Sequence, residues 1–266
     1  MVLLGHPVAH SLSPAIQNAA LKRAGLPITY EAVDVPPPEL GARIAWCLSE
    51  RVAGNVTVPH KEAVADACSS LTPVAKRAAA ANVFWVERGA LMGDNTDVPG
   101  FLDAAATLLG EVPVDARVAV LGAGGSAAAV LLAITQWPGA RARVWARSLD
   151  RAAALCSRFP DMTSVAATPH EAARDATIVV NATPIGLTDD SMPLDPSALP
   201  PTAAAIDLVY RRAGTAWVRA LRARNHVATD GLPMLIAQGA LAFKRWFGFE
   251  PDKSAMWDAA RAHTRD

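Results

Sequence analysis

The sequence predicts an α/β protein of two domains, and three observations carry that prediction. Segments of strand character alternate with segments of helix character along most of the chain, which signals layered α/β architecture. A glycine-rich turn between a buried strand and a long helix opens a second such block near residue 115. The length, 266 residues, corresponds to about two domains of ordinary size.

The first block begins with "VLLG", a short strand. "SPAIQNAALKRAG" follows as a helix, with Ser13 expected as N-cap, Pro14 at the first helical position and Gly25 as the stop. "ITYEAVDV" is a strand, and "PPPELGARIAWCLSE" turns into a helix. In "GNVTVP" Asn55, Thr57 and Pro59 alternate with Val56 and Val58, the period-two pattern of a strand, and Lys61 follows it. "PVAKRAAAA" is helical, and "NVFWVERGALMGDN" is a hairpin turning at Arg88-Gly89.

In the second block "ARVAVLGAGGSAAAVLLAITQW" is strand, glycine turn and helix. "ARVWARS" is a strand and "LDRAAALCSRF" a helix. "ATIVVNATPIG" is a strand ending in a polar loop, "AAAIDLVY" another strand, and "TAWVRALRARN" another helix. After Gly231 the pattern changes to two helices, "LPMLIAQGALAFKRWF" and "DKSAMWDAARAHT". Leu235, Ile236, Gly239, Phe243 and Trp246 form one stripe of the first, with Gln238 at its edge. Periodicity alone leaves open which block these helices cover.

Composition narrows the function. The chain is 52% hydrophobic and 19% charged, enough apolar content for a real core. Lys+Arg and Asp+Glu balance at 25 each, which argues against a general nucleic-acid binder. Cys47, Cys68 and Cys156 are too dispersed for a zinc site or a disulfide framework, so no metal is expected. The N-terminus lacks a signal-peptide pattern, and "AAAVLLAI" is too short to span a bilayer. A reduced, cytoplasmic protein acting on small molecules, without membrane or nucleic-acid partners, is the expectation.

"VAVLGAGGSAA" is a dinucleotide fingerprint. Gly122 permits the tight turn, Gly124 lets backbone approach a pyrophosphate, and Ala127 takes the third small position. Helix N-terminal amides in the Gly122–Ser126 turn, with Ala123 and Gly125, would face the phosphates. The next strand ends in Arg147 and Ser148, with Arg151 one turn on. NAD sites place an acid there, whereas arginine suits the 2′-phosphate of NADP. Asp97 in "GDNTDVPGF" reads locally as an N-cap. In "HSLSP" Ser11 has no local task once Ser13 caps the helix. His6, His10 and His60 read as structural, with no metal-ligand spacing between them.

"GHPVAHSLSP", "GNVTVPHK", "GDNTDVPGF", "GAGGSA", "NATPIGL", "DLVY" and "DGLPMLIAQGALAF" occur in the order seen in the shikimate dehydrogenase family, and the chain resembles that family over its full length. The resemblance implies a substrate-binding and catalytic domain, residues 1–97 and 232–266, with the C-terminal helices returning to it. It implies an NADP-binding Rossmann domain over 98–231, and reversible reduction of 3-dehydroshikimate to shikimate in the route to aromatic amino acids. Lys61 would be the catalytic lysine and Asp97 its partner. Ser11, Ser13, Asn55, Thr57, Asn82, Tyr210 and Gln238 would bind substrate. Gly122, Ala123, Gly124, Gly125, Ser126, Arg147 and Arg151 would bind NADP, with Asn181 and Thr183 near the nicotinamide end and Gly231 a cofactor-side turn.

The chain departs from the family pattern at Gln17, where histidine is usual, and at Val83, where a threonine hydroxyl is usual. Pro184 stands for serine and Pro233 for glycine. These departures leave Lys61 and Asp97 untouched. The competing readings are an NAD(P)-dependent quinate/shikimate paralogue, which Arg147 argues against if NAD is preferred, and a catalytically idle NADP sensor, which would not need Lys61 and Asp97. A monomer or homodimer is expected.

Overall fold

The computed structural model describes residues 1–211 and 213–263. The chain forms two compact units: Met1–Gly100 with the chain from Leu235 onward, and Phe101–Met234.

The first unit runs β1 (Val2–Gly5), α1 (Ser13–Arg23), β2 (Glu31–Asp34), α2 (Leu40–Ser49), β3 (Gly54–Val56), α3 (Lys61–Ala67), β4 (Ser70–Leu71), α4 (Pro73–Ala78), β5 (Val83–Glu87) and β6 (Ala90–Asp94), then enters α5 (Asp97–Leu109). Its six strands are ordered β2-β1-β3-β5-β6-β4. β1 pairs in parallel with β2 and β3, and β5 runs antiparallel to β3 and β6. The hairpin turns at Arg88 (φ 50°) and Gly89 (φ 79°). Two consecutive positive φ values match the right-handed twist of the flanking strands. Leu4, Val56, Val64, Phe84 and Leu91 fill the core of this layer.

The second unit runs β7 (Arg117–Leu121), α6 (Gly125–Ile134), β8 (Arg141–Trp145), α7 (Leu149–Cys156), β9 (Thr163–Val165), α8 (Pro169–Ala173), β10 (Ile178–Asn181), β11 (Ala204–Asp207), α9 (Ala216–Arg222) and β12 (Ala228–Thr229). All its strand pairs are parallel, in the order β12-β11-β10-β7-β8-β9. Read from β7 outward this is the doubly wound order, with the chain reversing direction between β7 and β10. Ligands bind at the carboxyl ends of the strands at such a switch point. The apolar residues of β7, β10 and β11 are buried throughout, as a sheet covered on both faces requires.

α10 (Leu232–Phe247) and α11 (Lys253–His263) close the chain. They settle what periodicity left open, because α11 packs on α1 and α10 bonds to the first unit. Trp246 Nε1 donates to the Phe84 carbonyl (3.3 Å), and Gln17 Nε2 donates to the Gly239 carbonyl (2.9 Å). α11 spans Lys253–His263, and Thr264, the last residue of the predicted helix, lies outside the described residues.

Several expectations need correction. α1 begins at Ser13, so Ser13 is not its cap. Leu12 holds that position without a side-chain bond, and Ser11 Oγ accepts from the Ser13 N–H at 3.2 Å. The serine two residues upstream reaches the first exposed amide, so the capping task falls to Ser11. The predicted strand over 54–59 stops at Val56, and Lys61 opens a helix. That helix has seven residues, too few to print a 3.6 period. β4, β9 and α8 escaped the sequence for the same reason.

Gly54 sets how closely β1 and β3 approach. A Cβ there would lie 2.0 Å from the Val2 carbonyl oxygen. Gly54→Ala is therefore expected to lower stability by about 3 kcal/mol. Gly25→Ala, at φ 69° but facing open space, costs about 1 kcal/mol. Urea denaturation of both variants checks this, and equal losses would contradict the packing argument.

Candidate active site

Lys61 and Asp97 are 36 residues apart in sequence and meet at 2.6 Å (Nζ to Oδ2). Both side chains are largely out of water, at 11% and 5% exposure. Lys61 reaches this place because the backbone turns after Val58 and restarts as α3. Asp97 reaches it as the first residue of α5, where the helix dipole favours a carboxylate. The N-cap role expected of Asp97 is met instead by Asn95, whose Oδ1 accepts from the Val98 N–H at 3.2 Å. Asp97 is thereby released for the lysine.

The second Asp97 oxygen accepts from Asn82 Nδ2 (2.9 Å), which also lies 3.0 Å from Thr96 Oγ1 and 3.1 Å from Gln238 Oε1. Asn82 Oδ1 accepts from the Thr96 N–H at 2.7 Å. Asn82 and Gln238 are thus brought together with the ion pair, as their grouping in the sequence reading anticipated. Gln238 comes close because α5 carries glycine where α10 touches it: a Cβ at Gly100 would be 2.8 Å from the Gln238 Cβ. Thr57 is half-buried beside Gly5, and Ser13 is 6% exposed.

Asn55 sits differently from its expected role. It is 4% exposed, and both ends of its amide are occupied. Nδ2 donates to the Asn82 carbonyl (2.9 Å), and Oδ1 accepts from Tyr30 Oη (2.8 Å). Asn55 is therefore placed to hold Asn82 rather than to meet a ligand. Tyr30, 3% exposed, was missed by the sequence reading; its one signal is a hydroxyl in an otherwise ordinary strand approach. Asp94 was also missed. It accepts from Thr72 Oγ1 (2.5 Å), the Asn95 N–H (2.7 Å) and Arg245 Nε (2.7 Å), tying the loop before Asp97 to α10.

Two departures from the family pattern have local explanations. Val83 is fully buried in β5, where a methyl belongs. Gln17 supplies the bond to the Gly239 carbonyl, one residue from Gln238. His60 is buried and bonded to the Val35 carbonyl, and His6 pairs with Asp34 at the surface, so both are structural.

In the second unit the glycine turn has the shape a dinucleotide needs. Gly122 adopts φ 120°, and a Cβ on it would lie 2.6 Å from the Ala182 carbonyl oxygen. Gly124 is the N-cap of α6, and a Cβ there would meet nothing within 4 Å. Ala123, Gly125 and Ser126 are partly exposed around it. Ala127 is fully buried against the sheet, and the first turn of α6 has no acid. Arg147 and Arg151 are exposed beyond β8, and Ser148 caps α7 between them. Tyr210 and Thr183 are partly exposed on the loops after β11 and β10.

Asn181 is 0% exposed, so it organises its loop from beneath. Its Oδ1 accepts from the Thr183 N–H (3.0 Å) and hydroxyl (2.6 Å), and its Nδ2 donates to Asp207 (2.8 Å). Gly231 is buried, because a Cβ there would be 2.2 Å from the Leu208 carbonyl oxygen. Burial raises the Asp207 carboxyl from its ordinary 3.8 to about 6, against the lowering effect of hydrogen bonds from Thr215, Val209 and Asn181. At about 1.4 kcal/mol per unit, its charge at neutral pH costs on the order of 3 kcal/mol. Stability is therefore highest with Asp207 protonated, below about pH 4, and about 3 kcal/mol of it is lost as pH rises through about 6 and on to neutrality.

Residues 3–84 match the shikimate dehydrogenase substrate binding domain, and residues 231–261 match the shikimate 5′-dehydrogenase C-terminal domain. A Thermus thermophilus protein named shikimate dehydrogenase (NADP(+)) is 43% identical over 260 residues, covering 97% of this chain and 96% of its own. The chain belongs to the shikimate dehydrogenase family. A Symbiobacterium thermophilum member of the same name is 39% identical over 273 residues, covering 98% and 92%. The crystal structure of shikimate 5-dehydrogenase from Thermus thermophilus, in complex with NADP(H) and shikimate, superimposes with a TM-score of 0.87 at 42% identity. It covers 98% of each chain. The family's two-domain α/β fold is therefore the fold of this chain.

Tyr30→Phe leaves the buried Asn55 Oδ1 without its donor. A stability loss of about 1–3 kcal/mol is expected, with catalysis reduced less than by any change at Lys61. Denaturation and steady-state rates measured on one preparation check both parts.

Proposed function

We infer that this protein catalyses the reversible, NADP-dependent reduction of 3-dehydroshikimate to shikimate. The observation that carries the inference is the Lys61–Asp97 pair, a charged acid–base group held 2.6 Å from its partner and nearly dry, within the unit whose sequence matches the substrate-binding family model.

NADPH, when bound, supplies the hydride that adds to the ketone carbon. As that carbon is reduced, negative charge grows on the ketone oxygen. The Lys61 ammonium stabilises that charge and gives up a proton to form the hydroxyl. In the oxidative direction the neutral amine takes the hydroxyl proton back. Asp97 holds the lysine in place. Asn82 and Gln238 are the polar groups set to orient a polyhydroxylated ring beside Lys61, and Ser11, Ser13 and Thr57 add hydroxyls in the same unit.

For the cofactor, the residues of the glycine turn fit a pyrophosphate. Gly124 leaves room for close backbone approach, and the α6 N-terminus offers amides and a positive dipole end. Arg147, with Arg151, would take the 2′-phosphate. The fingerprint unit, 98–231, is on this reading the NADP domain, and 1–97 with 232–266 the substrate domain. A reducing cytoplasmic setting suits Cys47 and Cys68, whose thiols burial pushes up to about 11 and so keeps unreactive.

Absorbance of the reduced cofactor, followed with shikimate or quinate and with NADP or NAD, tests the function. Turnover with shikimate and NADP is expected; none would leave the sensor reading, and better use of NAD would favour the paralogue. Lys61→Ala should lower kcat by about 10²–10⁴-fold while both ligands still bind. Asp97→Asn should also be slow, because the lysine loses the charged partner that holds it. A Lys61→Ala protein of unchanged kcat would remove the lysine from the chemistry.

Arg147→Ala should raise the KM for NADP by at least about tenfold, since a charge-assisted pair to the 2′-phosphate is lost. The KM for NAD should barely move. Equal effects on the two cofactors would contradict the assignment.

A further inference from the structure

β11 is apolar until Asp207, which is 1% exposed. Among the described residues no ion pair reaches this carboxylate; three hydrogen-bond donors surround it. Oδ1 accepts from Asn181 Nδ2 (2.8 Å) and the Val209 N–H (3.0 Å), and Oδ2 accepts from Thr215 Oγ1 (2.7 Å). Each donor belongs to a different stretch of chain at the carboxyl end of the sheet.

The consequences spread outward from those donors. Asn181 fixes Thr183 through its Oδ1, and the Thr183 hydroxyl in turn accepts from the Ile185 N–H at 3.2 Å. Asn181 Nδ2 also donates to the Ile185 carbonyl at 3.2 Å. Val209 accepts from the Gly231 N–H at 2.9 Å, so the Gly231 turn rests on the segment that Asp207 anchors. Thr215 caps α9 while it donates to Asp207. Ala182, between Asn181 and Thr183, is the backbone against which Gly122 packs.

We propose that Asp207 is a positioning residue for the cofactor: its buried carboxylate locks the loops after β10 and β11 into the arrangement that presents Thr183 and supports Gly231. The proposal rests on reading those two residues as cofactor-side. A buried ionised carboxylate, acceptor-only, is the group that three converging donors require. Neither a protonated acid nor an amide satisfies all three without turning one donor away. Such a charge costs stability, so its presence is explained by what it arranges.

Asp207→Asn keeps the shape and removes the charge. Direct calorimetric titration at pH 8 is expected to show about tenfold weaker NADP binding, as loss of a hydrogen bond to a charged group predicts. The ratio of variant to wild-type Kd should fall toward one as pH drops through about 6, where the wild-type carboxyl itself takes up a proton. Comparing the two proteins at each pH cancels titration of the cofactor's own phosphate. Asp230 is the other charge acting on Asp207, and Arg222 of α9 acts on Asp230; both are present in either protein.

A purely structural role would lower the melting temperature and leave that ratio independent of pH, which would overturn the proposal, as would unchanged affinity at pH 8. If Asp207→Asn fails to fold, Thr215→Val and Thr215→Ser decide. The valine variant should weaken NADP binding and the serine variant restore it; equal affinities for the two would overturn the proposal. Arg147→Ala separates the two levels of inference. If it weakens NADP binding and Asp207→Asn does not, only the positioning role fails. If neither changes binding, the reading of the cofactor site fails with it.

Discussion

A lysine ammonium held 2.6 Å from a carboxylate, with both groups nearly dry, persists only if the remaining lone pairs of the carboxylate are filled. Desolvating two charges costs several kcal/mol each, and their mutual attraction offsets that only with good geometry and further hydrogen bonds. The interior of the first unit meets that condition in layers. Asn82 fills the second Asp97 oxygen, Thr96 and Gln238 share the Asn82 amide, and Asn55 holds the Asn82 carbonyl. Tyr30 completes the chain from the far side. A network of this kind is worth having only when every member is satisfied, which explains why so many amides and hydroxyls are buried together here.

The same logic recurs in the second unit with a different outcome. Among the described residues no cation pairs with buried Asp207, only neutral donors do, and burial raises its pKa to about 6. Asp94, in the first unit, has Arg245 as well as neutral donors. Among the described residues, then, two of the loops that carry proposed site residues start from a carboxylate at the end of a strand: Asp94 after β6, before Asp97, and Asp207 after β11, before Tyr210. Loops need such anchors because they lack a ladder of their own.

Glycine sets the other limit. Gly122, Gly100 and Gly231 are positions where a Cβ would collide with backbone or with the Gln238 side chain. They let elements approach closely enough for the polar groups to converge, and any side chain there would separate what the hydrogen bonds hold. Gly124 differs, because the space beside it is open, and this is where a phosphate can come near the helix end.

The sequence by itself determined the α/β class, the hairpin at Arg88-Gly89 and the strand–turn–helix of the fingerprint, and its resemblance to the family implied the grouping of Lys61 with Asp97, Asn82 and Gln238. These are legible because periodicity, positive-φ residues and ordered motifs are local or collinear signals. It could not tell a ligand contact from a support. Asn55 and Asn181 read as polar residues free for a ligand, yet both are buried with their amides engaged. Nor could it show that Asn95 caps α5 in place of Asp97, or that Tyr30 and Asp207 matter at all. Only the tertiary structure decided these, because the choice depends on which polar partners face a side chain; for Asn55, Asn181 and Tyr30 those partners lie 25 to 27 residues away and leave no mark on the neighbouring sequence.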